Sequence, residues 1–116
     1  MVAGVIILST FPSEASISKI ARRVVAARLC ACVNFSKIRS IYSWQGKLED
    51  HHEFIALFKT TTRSAKRLKD EIAKSHPYDL PEIVELELKD ASTRYLSWLV
   101  ESTGRISKNR DYSTKR

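Results

Sequence analysis

The feature that most constrains this chain is a pair of long β-rich runs separated by a short break at Gln45 and Gly46. Residues 32–44 and 47–59 form the two runs, and strand-like runs around a Gly-containing break predict a β-hairpin. At ~3.3 Å per residue each arm would reach ~43 Å, whereas a compact chain of this size is only ~35 Å across. Unless bulges or breaks shorten it, the hairpin should extend beyond its own domain.

An overhanging hairpin needs something to cover it. Its outer part carries Tyr42 and Trp44, two large aromatic side chains that are costly to leave exposed in a monomer. The edges of the arms would also present unpaired backbone groups. Both problems are solved if the arm lies on a second copy of the chain, and a closed cyclic oligomer leaves no free end. We therefore predict a homo-oligomer with Tyr42 and Trp44 at the subunit interface.

The first half of the chain reads as strand, helix and then the hairpin. Residues 2–8 are apolar almost throughout, as expected of a covered strand. Residues 17–29 carry an apolar stripe at helical spacing, and Pro12 or Ser13 can start this helix.

The second half repeats the alternation of helix and strand. A helix beginning at Thr61 or Thr62 is stopped before His76-Pro77, because the residue preceding a proline disfavours helical geometry. Residues 84–88 alternate apolar and charged side chains, which predicts a strand whose apolar face is buried, and residues 95–99 form a last helix. The order predicts an α+β fold: a ferredoxin-like βαββαβ sandwich with an extra C-terminal helix.

Composition narrows the class of protein. The chain has 43% hydrophobic and 28% charged residues, which is the balance of a globular protein, and no apolar run approaches the roughly 20 residues that span a bilayer. Residues 2–8 lack the flanks of a secretory signal, so we expect a cytoplasmic protein without a membrane partner. Cys30 and Cys32 are too close in sequence to bridge without strain, which agrees with a reducing compartment.

The net charge of +7 is concentrated at one end of the chain. Residues 104–116 carry five Lys or Arg against one Asp, a net of +4, so residues 1–103 account for only +3. We expect one domain over residues 1–103 and a poorly ordered basic tail over 104–116. Because the excess of positive charge is not spread over a folded groove or helix, nucleic acid is not the favoured partner.

Several short blocks follow one another along residues 3–103. They are Arg28-Leu29, residues 31–34, residues 40–47 with Glu49, Lys59-Thr60, His76-Pro77-Tyr78, Pro81-Glu82 and residues 95–99. In these blocks the chain resembles the CutA family, the divalent-cation tolerance proteins. The resemblance implies a ferredoxin-like fold similar to the PII signalling proteins and a tight homotrimer assembled through the hairpin. It further implies a cytoplasmic role in tolerance of divalent metals, with copper binding in some relatives and no known catalytic activity.

The chain departs from the family at positions that matter for metal binding. Some members carry additional cysteines where this chain has Ser9 and Glu71. A thiol-rich copper site therefore cannot be carried over. No cofactor is required, and copper or another divalent ion is the candidate ligand.

Cys32 and His76 are the candidate metal ligands that the resemblance supplies. A thiolate at Cys32 would favour Cu(I) or Zn(II), and the imidazole of His76 could complete a site with it or with a carboxylate of a neighbouring subunit. The alternatives are a buried cysteine within the sheet and a histidine that interacts with the carbonyls at the end of a helix. Cys30 could join Cys32 as a second sulfur ligand, although Cys-x-Cys alone is a weak metal signal.

Residues 49–53 contain the densest set of metal donors, including His51 and His52. On a strand, successive side chains alternate between faces, so each face offers at most two or three donors and a solvated strand is the better interpretation. Tyr42, Trp44 and Trp98 could stack on nucleic-acid bases, but their positions on a hairpin end and a terminal helix favour subunit packing instead.

Motifs of the common enzyme classes are not found. The turn after the first strand has no glycine to wrap a phosphate, and neither a Gly-x-Ser-x-Gly elbow nor a His-Glu-x-x-His pair occurs. The favoured function is a homotrimer that binds or responds to divalent metal, copper first. The alternative is a PII-like trimer whose subunit clefts bind a small anionic ligand and which recruits a partner.

Overall fold

The structure is a computed structural model that describes residues 3–105. Its elements are β1 (Gly4–Phe11), α1 (Glu14–Ala26), β2 (Cys32–Trp44), β3 (Lys47–Thr61), α2 (Thr62–Ser75), β4 (Ile83–Glu87) and α3 (Thr93–Ser102). This order confirms the predicted α+β fold with βαββαβ connectivity and an additional C-terminal helix. Within the described residues, no helix combines the length and apolar character that crossing a membrane would require.

The four strands form one antiparallel sheet in the order β2-β3-β1-β4. Alternate residues of β1, among them Val5 and Ile7, point to the face that α1 and α2 cover. Leu68 and Ile72 of α2 are completely buried against them. Burial of each such side chain is worth about 1.5–3 kcal/mol, so this helix-covered face holds the main core.

Helix α1 has a specific contact at each end. The Ser13 hydroxyl accepts a hydrogen bond from the amide of Ser16 at 3.1 Å, which caps the N-terminus as predicted. Just after the helix, Arg28 has φ +61°, in the left-handed region that is unfavourable for a residue with a side chain. Its guanidinium donates to the carbonyls of Glu101 at 2.6 Å and Gly104 at 2.7 Å. These bonds tie the end of α1 to the end of α3.

The opposite face of the sheet carries apolar side chains that α1 and α2 do not reach. Val84 and Leu86 of β4 point to this face and remain 39% and 43% exposed. The predicted alternation of β4 is correct, but the prediction that its apolar side is buried is wrong within a single chain. The reason is that α2 packs on the other side, where Lys69 forms an ion pair with Glu85 at 2.7 Å.

Helix α3 packs near the beginning of β1 on the face that α1 and α2 leave open. Leu99 is completely buried there. A Cβ atom built on Gly4 would meet side-chain atoms of Leu88, Leu99 and Leu96 at 3.0, 3.3 and 3.5 Å, so a glycine at this position allows the close approach of α3.

The hairpin extends well beyond the rest of the sheet. β2 pairs with β3 along its whole length, whereas the pairing of β1 with β3 ends at Phe11 opposite Phe54. Residues 38–44 and 47–53 therefore form a hairpin overhang with no neighbouring β1, and the molecule measures 54 × 28 × 24 Å. Gln45 and Gly46 have φ values of +52° and +78°, as a two-residue type I′ turn requires. The predicted overhang is confirmed.

The predicted boundary between the domain and its basic tail remains a prediction. Helix α3 ends at Ser102, and the Gly104 amide still donates to the Arg28 carbonyl at 2.9 Å. Most of the predicted tail, residues 106–116, lies outside the described residues.

Candidate functional site

The loop between α2 and β4, residues 76–82, crosses the end of β1 and meets the hairpin overhang. His76 contacts the last residues of β1, and the Tyr78 hydroxyl reaches Glu53 on β3. Pro77 follows His76 directly and helps to end α2 there. Most of the side chains that sequence analysis or the structure marks as candidates lie around this junction.

The His76 ring is held by β1 and by its own loop. Nε2 lies 2.9 Å from the Thr10 carbonyl oxygen and 3.3 Å from the Ser9 hydroxyl, while the Tyr78 amide donates to Nδ1 at 3.1 Å. The ring also stacks on Phe11, with centroids 4.4 Å apart. These partners assign a neutral imidazole with its proton on Nε2. Burial lowers the pKa of His76, although the hydrogen bond to Thr10 partly opposes this.

This arrangement determines what His76 can do. One ring nitrogen accepts a hydrogen bond and the other carries the donated proton, so neither presents a lone pair to a metal ion. The ring does not turn toward the carbonyls at the end of α2, which was the alternative interpretation. Coordination of a metal by His76 would require one of these hydrogen bonds to break.

Cys32 lies at the other end of the sheet from His76. It is half-buried at the start of β2, opposite Lys59, which in turn pairs with Ile6. Thr10, the partner of His76, is four residues further along β1 and two strands across from Cys32. At ~3.3 Å per residue and ~4.8 Å per strand, the separation is about 16 Å. A single chain therefore does not bring the two candidate ligands together.

Cys30 is completely buried and is a poor candidate for a thiolate ligand. Burial raises the pKa of its thiol to about 12, with a smaller contribution from Cys32. At neutral pH the sulfur therefore stays protonated, and metal binding would have to displace that proton. Cys30 contributes to the core instead, packed with the other buried apolar side chains.

Two of the four donors of residues 49–52, Asp50 and His51, already have protein partners. Arg39 binds Asp50 through two hydrogen bonds of 2.8 and 2.7 Å. His51 lies with Nε2 2.6 Å from the Tyr42 hydroxyl and Nδ1 3.1 Å from the carbonyl oxygen of His52. Across residues 3–105, no group of three or more His, Cys, Asp or Glu is arranged to hold a metal ion.

Glu53 differs from the rest of this run because it is only 7% exposed. Its Oε2 accepts a hydrogen bond from the Tyr78 hydroxyl at 2.9 Å. Burial and this contact with Glu53 raise the pKa of Tyr78, so the phenol remains a donor at neutral pH. The interpretation of residues 49–53 as a solvated strand is therefore wrong for Glu53, because the loop of residues 76–82 folds over it.

A cavity of about 420 Å³ lies between the overhang and this loop. Three carboxylates line it, those of Glu53, Asp79 and Glu82. The aromatic rings of Tyr42, Trp44 and Tyr78, together with Thr10 and Leu80, form the rest of the lining. No lysine or arginine of the described residues lines it. Burial, assisted by nearby carboxylates, raises the pKa of Tyr42. Sequence analysis did not identify this cavity, although the blocks around His76-Pro77-Tyr78 and Pro81-Glu82 pointed to the loop that closes it.

The three predicted interface residues occupy different environments. Tyr42 and Trp44 are 40% and 46% exposed on the overhang. Trp98 is half-buried on α3, where its ring packs beside Tyr95 with centroids 5.7 Å apart. Large aromatic rings that are left partly exposed are typical of interface positions, so Tyr42, Trp44 and Trp98 remain the predicted interface residues.

The family model described as CutA1 divalent ion tolerance protein matches residues 5–102. The divalent-cation tolerance protein CutA of Thermotoga maritima is 41% identical over 98 residues, covering 84% of this chain and 97% of that protein.

Two solved structures show the same fold. CutA1 from Pyrococcus horikoshii is similar with a TM-score of 0.84 and 36% identity, covering 87% of this chain and 99% of that chain. A protein from Archaeoglobus fulgidus, named a periplasmic divalent cation tolerance protein CutA, has a TM-score of 0.82 and 31% identity, covering 85% and 97%.

Proposed function

Because the chain belongs to the CutA1 divalent ion tolerance family, we propose that it acts in tolerance of divalent cations as a homotrimer. In this proposal the protein binds metal ions, copper first, and does not catalyse a reaction. The observation that supports the assembly is the hairpin overhang, where the partly exposed Tyr42 and Trp44 would be covered by a second copy of the chain.

Two surfaces of the chain support assembly. One is the overhang, with Tyr42 and Trp44 on one face and Ile41 and Leu48, 61% and 76% exposed, on the other. The second is the open sheet face that holds Val84 and Leu86. β2 and β4 are opposite edges of the sheet, so head-to-tail packing of one edge region against the other can close a ring.

The mass of the native protein tests this assembly. Native mass spectrometry at micromolar concentration should give three times the chain mass of 13.2 kDa. A monomeric mass at that concentration would contradict the proposal.

Metal binding in this proposal uses donors from more than one chain. Within one chain Cys32 and His76 are too far apart, and no other described set of donors fits a metal ion. Cys32, however, lies on the open sheet face, since it pairs with Lys59 and Lys59 with Ile6. A thiol on that face can meet ligands from a neighbouring subunit. His76 can join it only if the hydrogen bond to Thr10 or the one from Tyr78 breaks, and with this condition Cys32 and His76 are the proposed metal ligands.

Equilibrium dialysis with Cu and Zn tests these ligands on the native assembly. Cys32→Ala and His76→Ala, singly and together, should lower the number of ions bound per chain. Val25→Ala serves as a control because valine has no metal-binding atom and Val25 is exposed on α1. If the double variant binds as many ions as the unchanged protein, Cys32 and His76 are not in the site.

The chemistry of the cavity does not favour the alternative function, a PII-like trimer that binds a small anion. An anion would face three carboxylates without a lysine or arginine from this chain among the lining residues. The metal-tolerance function is therefore retained alone. We also keep the cytoplasmic location as part of the proposal, which cell fractionation can test against a periplasmic one.

A further inference from the structure

We propose that the cavity between the hairpin overhang and residues 78–82 binds a small organic cation that carries an ammonium group. This inference goes beyond metal tolerance and uses neither Cys32 nor His76. It rests on the shape of the cavity, the sign of its charge and the nature of its walls.

The sign of the charge follows from Glu53. This carboxylate is 7% exposed, and its hydrogen-bond donor, the Tyr78 hydroxyl, is neutral. None of the ion pairs within residues 3–105 involves Glu53. A buried carboxylate without a cation is unfavourable, because the solvation it loses is not replaced by an opposite charge. Asp79 and Glu82, both exposed at the rim, add negative charge to the same cavity. The site is therefore built for a positively charged ligand.

The arrangement of the carboxylates distinguishes an organic cation from a metal ion. Glu53, Asp79 and Glu82 line one cavity, yet no three acidic or histidine side chains of the described residues converge closely enough to hold a metal. Separated carboxylates around about 420 Å³ leave space for a molecule with its own carbon skeleton.

The walls of the cavity support the same ligand class. The aromatic rings of Tyr42, Trp44 and Tyr78 line the same cavity as Glu53. Aromatic faces attract ammonium groups through cation–π interactions, and Trp is the most effective of them. A primary ammonium could in addition donate a charge-assisted hydrogen bond to Glu53. Carboxylate and aromatic groups together thus select an amine over a neutral molecule of equal size.

Calorimetric titration of the full-length protein in its native assembly tests the proposal with three probes of equal chain length. They are n-butylammonium, n-butanol and butyrate. We expect measurable, millimolar binding of n-butylammonium and none of the other two. Equal heats from n-butanol would show that only the hydrophobic chain is recognised and would overturn the proposal, and so would binding of butyrate alone.

Two variants with the same change of charge locate the binding site. Glu53→Gln keeps the size of the side chain and an acceptor for Tyr78, and should weaken n-butylammonium binding by at least about tenfold. Glu87→Gln, in an exposed position outside the cavity, should leave it unchanged. If Glu53→Gln does not fold, Glu82→Gln at the exposed rim should still weaken binding about twofold to threefold.

Unchanged affinity in the cavity variants would overturn the proposal. So would a structure of the assembly in which a lysine or arginine of a neighbouring subunit lies within ion-pair distance of Glu53, since the cation would then belong to the protein. Equilibrium dialysis with copper and zinc is a separate measurement. A failure of the amine-binding proposal is therefore distinguishable from a failure of the metal-tolerance proposal.

Discussion

Replacing Trp44 with alanine should weaken the assembly by an amount that the structure allows us to estimate. Trp44 is 46% exposed on the overhang. For a side chain of ~250 Å², about 115 Å² can still be buried by another chain, worth about 3 kcal/mol at ~25 cal/mol per Å². Each of the three subunits loses this stabilisation, about 9 kcal/mol in total. The dissociation constant of the trimer therefore rises by between six and seven powers of ten. The concentration at half-dissociation varies as the square root of that constant and should rise about a thousandfold.

Analytical ultracentrifugation of fluorescently labelled protein over a dilution series measures that concentration. If the unchanged protein does not dissociate, both proteins are compared at one fixed guanidinium concentration. Val25→Ala is the matched control, because Val25 is 39% exposed on the helical layer, away from the overhang. An unchanged half-dissociation concentration for Trp44→Ala would show that the end of the hairpin is not in the interface.

Three further predictions concern the fold itself. Gly46→Ala should destabilise the protein by about 1 kcal/mol in guanidinium unfolding, since Gly46 has φ +78° with free space around it, while Gly46→Asn should cost less. In a thiol assay at pH 8 Cys32 should react and Cys30 should not, because burial raises the Cys30 pKa to about 12; two reactive thiols in folded protein would refute this. Because burial lowers the pKa of His76 below 6.5, its contribution to stability is present above pH 6.5 and is lost as the pH falls. His76→Gln should therefore flatten the decline of the unfolding midpoint between pH 7 and 5, and parallel curves would contradict this.

The predictions that the structure confirmed rest on residues that are close to one another in the sequence. The hairpin was predictable because strand-like runs and a Gly-containing turn are encoded within about 30 contiguous residues. The start of α1 was predictable because Ser13 caps its own helix through an amide three residues away. The end of α2 before Pro77 follows from steric exclusion, which also acts between neighbours in sequence.

The features that were not predicted depend on which helix or loop packs on which face of the sheet. Alternation shows that Val84 and Leu86 share a face, but not whether α2 packs on that face or on the opposite one. Similarly, nothing in residues 49–53 distinguishes Glu53 from its exposed neighbours, because its burial comes from a loop about 25 residues later in the chain. The direction of the His76 ring has the same origin, since its partners are on β1.

The proposed assembly and the proposed amine site share Tyr42 and Trp44, and this has a thermodynamic consequence. If the cavity is completed by a neighbouring subunit, n-butylammonium binds the trimer more tightly than the monomer and must stabilise the trimer by mass action. The concentration at half-dissociation should then fall as n-butylammonium is added, but not as n-butanol is added. In Glu53→Gln the same fall should require at least about ten times more n-butylammonium, even though both aromatic rings remain. If n-butylammonium binds without shifting the dissociation, each chain forms the cavity alone, and Tyr42 and Trp44 stabilise the interface independently of the ligand.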